Sequence, residues 1–170
     1  MTKMTRFRSL SLAAGFVSAG VFAYPAAADD ILVTHRLSAA LANEIVTEVV
    51  AACAKQGYAE TAVVVSADGV RQAELRGDRA GAHTLDSAND KAYTSASFKT
   101  DTGALVDRAK STPVLVNLFK LPHLLLLGGG VDIKIGDEVV GAVGAAGAPG
   151  GDLDDACARA GVDKVKDRLK

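Results

Sequence analysis

Between Thr34 and Tyr58 the apolar positions return every three or four residues, and Leu37, Leu41, Ile45, Val49 and Cys53 fall on one face. That period predicts an amphipathic helix, and Gly57 ends it. The pattern then changes. The unbroken run "TAVVVS", the turn pair Asp68-Gly69 and a second short run predict a β-hairpin. A loop follows, and the chain turns helical again near Thr84 or Asp86, either of which can cap it. "DTGALVDRAKSTPVLVNLFK" predicts two short helices, the second with Thr112 as cap and Pro113 at its first position. "LLLLGGGVDIKIGDEVVGAVGA" predicts three short strands, with turns at residues 128–130 and at Gly136-Asp137. From Asp152 the chain is helical, with Leu153, Ala156, Cys157, Ala160 and Val165 turned inward.

The predicted order is one helix, two strands, three helices, three strands and a last helix. Strands joined by tight turns pair antiparallel, so the expectation is an α/β (α+β) domain with a five-stranded antiparallel sheet under helices.

The N-terminus breaks this pattern. Lys3, Arg6 and Arg8 precede an apolar run from Leu10 to Ala23, and Ala26 and Ala28 form an A-x-A site. This is the layout of a secretory signal peptide over residues 1–28, and the run is short for a transmembrane helix. The mature chain would then be residues 29–170, a single domain in the periplasm or outside the cell. Its charge is about −4, from 16 basic and 20 acidic residues once three basic residues leave with the leader. No basic stripe remains for nucleic acid, and Tyr58, Tyr93, Phe98 and Phe119 are its only aromatics. Cys53 and Cys157 both survive export. They either bridge or stay apart as two buried helix cysteines; Cα separation decides, and spacing does not.

"EVVGAVGAAGAPGGDLDDACARAG", residues 138–161, invites a phosphate-loop reading that fails. No G-x-x-x-x-G-K-[ST] is present, and the spacing is wrong for G-x-G-x-x-G. Asp152, Asp154 and Asp155 sit where a phosphate would dock and would repel it. The stretch contains no Ser or Thr, and its loop no nucleophile. What remains is geometry: Gly141, Gly144 and Gly147 mark a close backbone approach, by a helix of this chain or by a neighbouring subunit.

"RGDRAGAHTLDSANDKAYTSASF" and "LGGGVDIKIGDEVVGAVGAAGAPGGDLDDACARAG" resemble the haem-binding GlcG/HbpS family, which is related to the C-terminal domain of the PduO corrinoid proteins. The resemblance covers Thr34 to Leu169. It rests on Arg76, Asp78 and Ala80, on Lys91 and Thr94, on the glycines at 129–130, and on the run ending at Gly144. It implies a profilin-like α/β/α fold, a homo-oligomer and haem as partner, with roles in sensing, storage or degradation. It also implies that the first and last helices share a sheet face, which would favour the Cys53–Cys157 bridge. The family's glycine strand usually ends G-V-S-G-A; here it reads Gly144-Ala145-Ala146-Gly147-Ala148, so any ligand role of that serine is absent.

A haem iron needs a ligand. The mature chain holds no methionine and no C-x-x-C-H. His83 lies beside the family's most specific segment and His35 opens the first helix; both are candidate iron ligands, and His123 reads as a turn residue. Arg76 or Arg79 could pair a propionate. Thr84 completes the loop set, and Lys91 either binds a carboxylate or orients Asp78. The Arg76/Asp78/Lys91 group also supports an alternative: an enzyme or sensor domain for a small carboxylate such as a hydroxy acid. Neither H-E-x-x-H nor H-x-x-E-H zinc spacing occurs. The glycine strand and its neighbours are a further candidate, as a subunit interface.

Overall fold

The computed structural model describes residues 32–170; the signal-peptide reading of residues 1–28 lies outside the described residues. Four strands form one antiparallel sheet in the order β2-β1-β4-β3. They are β1 (Thr61–Ser66), β2 (Arg71–Arg76), β3 (Gly130–Ile135) and β4 (Glu138–Ala146). The helices are α1 (Ala39–Lys55), α2 (His83–Phe98), α3 (Thr102–Ser111) and α4 (Gly151–Val165).

Alternation along the strands divides the core. On one face Ala62, Val64, Ile133 and Val143 meet Ile45, Val46 and Val49 of α1 and Ala158 and Val165 of α4. On the other, Val63, Val65, Ala142 and Ala146 meet Ala88, Ala92 and Ala96 of α2. Ser38 caps α1, its Oγ accepting from the Leu41 amide at 3.2 Å. Cys53 and Cys157 join α1 to α4 in a disulfide, with Cα atoms 5.5 Å apart.

The glycine question has a packing answer. Gly130 and Gly144 pair across β3 and β4. A Cβ on Gly144 would overlap the Ala88 carbonyl oxygen and lie 2.7 Å from the Ala92 amide nitrogen. Backbone of α2 therefore rests directly on the sheet. The strand is central and, past Glu138, buried within one chain, so its small residues serve the packing of α2.

The expected fifth strand is absent from the described residues. Leu124–Leu127 form a surface crossing instead. The Leu125 amide donates to Thr94 Oγ1 at 2.8 Å, on α2 rather than on a strand. The ladder begins only where Gly129, at φ +114°, turns the chain and accepts from the Ala145 amide. A run of four leucines carries no period to tell strand from coil. Three smaller expectations also shift. Neither Thr84 nor Asp86 caps α2, which starts at His83 after Ala82 without a side-chain cap. Thr112 makes no capping bond, and Pro113–Lys120 is a 3-10 stretch. Ala156 faces solvent, while Asp154 takes a buried place on α4.

Candidate functional site

The first turns of α4 meet the Gly128–Gly130 turn and α3 around a cavity of about 630 Å³. Ala104, Val106, Leu126 and Leu127 give it apolar walls; Asp107, Asp152, Asp155 and Arg159 ring it with charge. The backbones of Gly128 and Gly151 abut at its edge, where a Cβ on Gly128 would stand 2.8 Å from the Gly151 carbonyl oxygen. Arg159 spans its rim, donating to Asp155 at 2.7 Å and to Asp101 at 2.8 Å.

Beneath those glycine turns lies a buried polar cluster. Lys91, 3% exposed, sends Nζ to Asp154 Oδ2 at 2.5 Å and to the Ala145 carbonyl at 2.9 Å. The other Asp154 oxygen accepts from the Ala148 amide at 2.9 Å. Glu60, at the foot of β1, is 1% exposed, and neither carboxyl oxygen has a hydrogen-bond partner among the described residues. Burial, followed by the charge of Asp154, pushes its pKa up to about 8, against the pull of Lys91. Next to it Thr61 and Thr84 share a hydroxyl hydrogen bond of 2.6 Å, and Thr84 donates to the Gly81 carbonyl. Further along α2, Ser95 donates to buried Asp132 at 2.7 Å; burial raises that acid.

The residues expected to form one site are dispersed. Lys91 pairs with Asp154, not Asp78, because Asp154 rides the inward face of α4. Arg76 folds back onto its own loop and donates to the Ala80 carbonyl. Asp78 is exposed and bonds neither of them. The Arg76/Asp78/Lys91 group therefore does not assemble, and with it goes the small-carboxylate pocket it was to form. His35 Nδ1 is 2.7 Å from Glu138, at the hairpin end of the sheet. His83 stands with Thr84 at the opposite end of β1, since Thr84 bonds Thr61. One haem iron cannot take both. His123 sits 3.3 Å from Asp90, while the exposed ring of His83 has no hydrogen-bond partner among the described residues. None of the three histidines lines the 630 Å³ cavity.

Sequence reasoning missed Glu60 and misread Asp154. Glu60 precedes an apolar strand and looks like any loop acid. Asp154 lies among three acids at a helix start, and only the helical phase relative to Cys157 separates it from Asp152 and Asp155. Among the described residues no group of three His, Cys, Asp or Glu side chains is placed to hold a metal ion. None of the described helices is long and apolar enough to cross a membrane.

Comparison with known proteins places this arrangement. Residues 37–163 match the family of the haem degrading protein HbpS-like. A double Glu-to-Asp variant of HbpS from Streptomyces reticuli is 34% identical, over 84% of this chain and 97% of that one, with a TM-score of 0.75. A second HbpS structure is 32% identical over 84% and 99%, again with a TM-score of 0.75. The PduOC–haem complex, 21% identical over 76% and 94% with a TM-score of 0.70, shares the fold. No curated protein sequence matches. The chain belongs to the HbpS-like family.

Proposed function

We propose that this member of the HbpS-like family is an exported, homo-oligomeric haem-binding protein that takes haem into the cavity between α3 and the start of α4. The cavity carries the reading. Its volume of about 630 Å³ lies within the usual range for small-molecule sites. Ala104, Val106, Leu126 and Leu127 would hold the macrocycle by apolar contact, and Arg159 would have to give up a bond to Asp155 or Asp101 to pair a propionate. Bound haem supplies iron for redox or oxygen chemistry. The cavity offers the iron only carboxylate oxygens, so the fit is one of walls rather than of a strong ligand.

Export is supported by the basic, apolar and A-x-A succession of residues 1–28. Assembly is supported by an apolar ribbon: Val114, Val116, Leu118 and Leu121 are 40–68% exposed, on the stretch of chain that leads into the cavity wall. Large exposed apolar patches mark interaction surfaces.

One observation favours a second reading. The ring of His83 lies free beside Gly81, so haem could instead be ligated there, at the surface. Haemin titration followed at the Soret band, with light scattering on the same samples, tests both. Leu127→Asp and Ala104→Trp are expected to weaken binding at least tenfold, and His83→Ala to leave it unchanged. Loss with His83→Ala alone moves the site to α2. No saturable spectral change in the wild type defeats both readings, and a clean monomer defeats the assembly.

A further inference from the structure

We infer that Glu60, Asp154 and Lys91 form a proton-operated latch that closes the glycine turns beside the cavity. The three side chains come from three elements: the foot of β1, the first turn of α4 and the middle of α2. All three are buried. Lys91 and Asp154 hold the strand end at Ala145 and the loop at Ala148. A Cβ on Gly129 would lie 3.0 Å from Lys91 Nζ, so the 128–130 turn rests on the same ammonium. The latch thus ties residues 128–130 to residues 147–151, and Gly128 and Gly151 line the cavity.

Charge decides its state. With a proton on Glu60 the cluster is one ammonium and one carboxylate, and it balances. Without that proton a second carboxylate is buried with no cation of its own, and burying an unpaired charge is costly. Relief requires water, which enters only if the glycine turns part. No other charge offsets it. Glu60 faces Asp154 from α4, Lys91 from α2 and the Ala148 amide of the loop between β4 and α4, while its own backbone lies against Gly77 and Gly147.

The sign follows. The folded-state pKa, about 8, lies above the ordinary 4.5, so the closed form holds a proton that the open form releases. The latch is tightest in acid. Its opening constant rises about tenfold per pH unit between those two values and levels off above the upper one. This requires the fold alone and stands whether or not haem enters the cavity.

The test is amide hydrogen exchange at Ala148 and residues 151–155 of the free protein, corrected for intrinsic exchange rates. In the wild type protection is expected to fall about tenfold per pH unit from pH 5 to 8. In Glu60→Gln, which keeps the shape and removes the proton, it stays flat. A parallel pH dependence in both proteins overturns the inference. Carbon NMR of the Glu60 carboxyl in the wild type needs no variant: titration near pH 8 supports the latch, and titration in the ordinary acid range refutes it.

Discussion

The two faces of the sheet are built on opposite plans. Toward α1 and α4 the chain places Ile45, Val49, Val64, Ile133, Val143 and Val165, and closes the layer with a disulfide. Toward α2 it sets the alanines of that helix on Val63, Val65, Ala142, Gly144 and Ala146, and buries Thr84, Lys91, Thr94 and Ser95 of the same helix. Large side chains fill volume and hold the backbones apart, so that face is stabilised mainly by apolar area. Small ones bring backbone onto backbone, so the α2 face depends on fit and on pairing every polar group it buries. The chemistry of the molecule collects on the second face, beside glycines that admit no side chain.

Gly144→Val puts that contrast under the greatest load. The new side chain meets the Ala88 carbonyl and the Ala92 amide, both backbone and unable to swing away. The expected loss is above about 4 kcal/mol, enough to prevent folding of a marginal domain. Val64→Ala, on the opposite face of the neighbouring strand, removes two methyl groups and should cost only about 2–3 kcal/mol. Urea denaturation of the two variants checks the ratio. If Gly144→Val melts like Val64→Ala, the close seam is not what holds α2.

The sequence disclosed these two faces unevenly. Helical period along Leu37–Cys53 and the unbroken run in β1 announced the α1 face, because large apolar residues carry a strong periodic signal. The α2 face announced itself only as glycine at every third position, which signals a close approach without naming its partner. The polar cluster was half legible. Lys91 stood out through the K-A-x-T segment, but its partner lay 63 residues away among helix-start acids, and Glu60 had no local signal at all. The charge cluster expected from Arg76, Asp78 and Lys91 failed for the same reason. Proximity in sequence stood in for proximity in space, and Arg76 was occupied by its own loop.

Reducing the Cys53–Cys157 bridge tests the α1 face by a route that leaves α2 untouched. The linked residues are 104 apart in sequence, so loop-closure entropy predicts a loss of about 4–5 kcal/mol as an upper value. Both cysteines are fully buried, so reduction needs prior opening or mild denaturant. The melting temperature should drop, while hydrogen exchange of the α2 amides in the native state stays as it was. Two free thiols per chain in protein isolated without reductant would remove the bridge from the argument. Early loss of α2 protection would instead merge the two faces into one cooperative unit.

The smallest effect belongs to a region outside both faces. His35 ties the segment before α1 to the first residue of β4, through its ring at 2.7 Å and its amide at 3.3 Å from Glu138. The side-chain bond, then the backbone bond, hold Glu138 below its ordinary value, but the carboxylate lies in solvent. Exposed pairs gain little, because water solvates both partners as well as they solvate each other. His35→Ala should therefore leave the melting temperature at pH 7 nearly unchanged. What it should move is the titration of Glu138, upward toward the ordinary value. A carboxylate held low contributes stability above its unfolded pKa and loses it as the pH falls through the folded one. Any difference between wild type and variant must then vanish in acid, and it should shrink in high salt. Carbon NMR of the Glu138 carboxyl with melting curves at pH 3 and pH 7 reads both. A large drop in melting temperature at pH 7 would show that the hairpin end is a third source of stability, and that the two faces do not account for the fold alone.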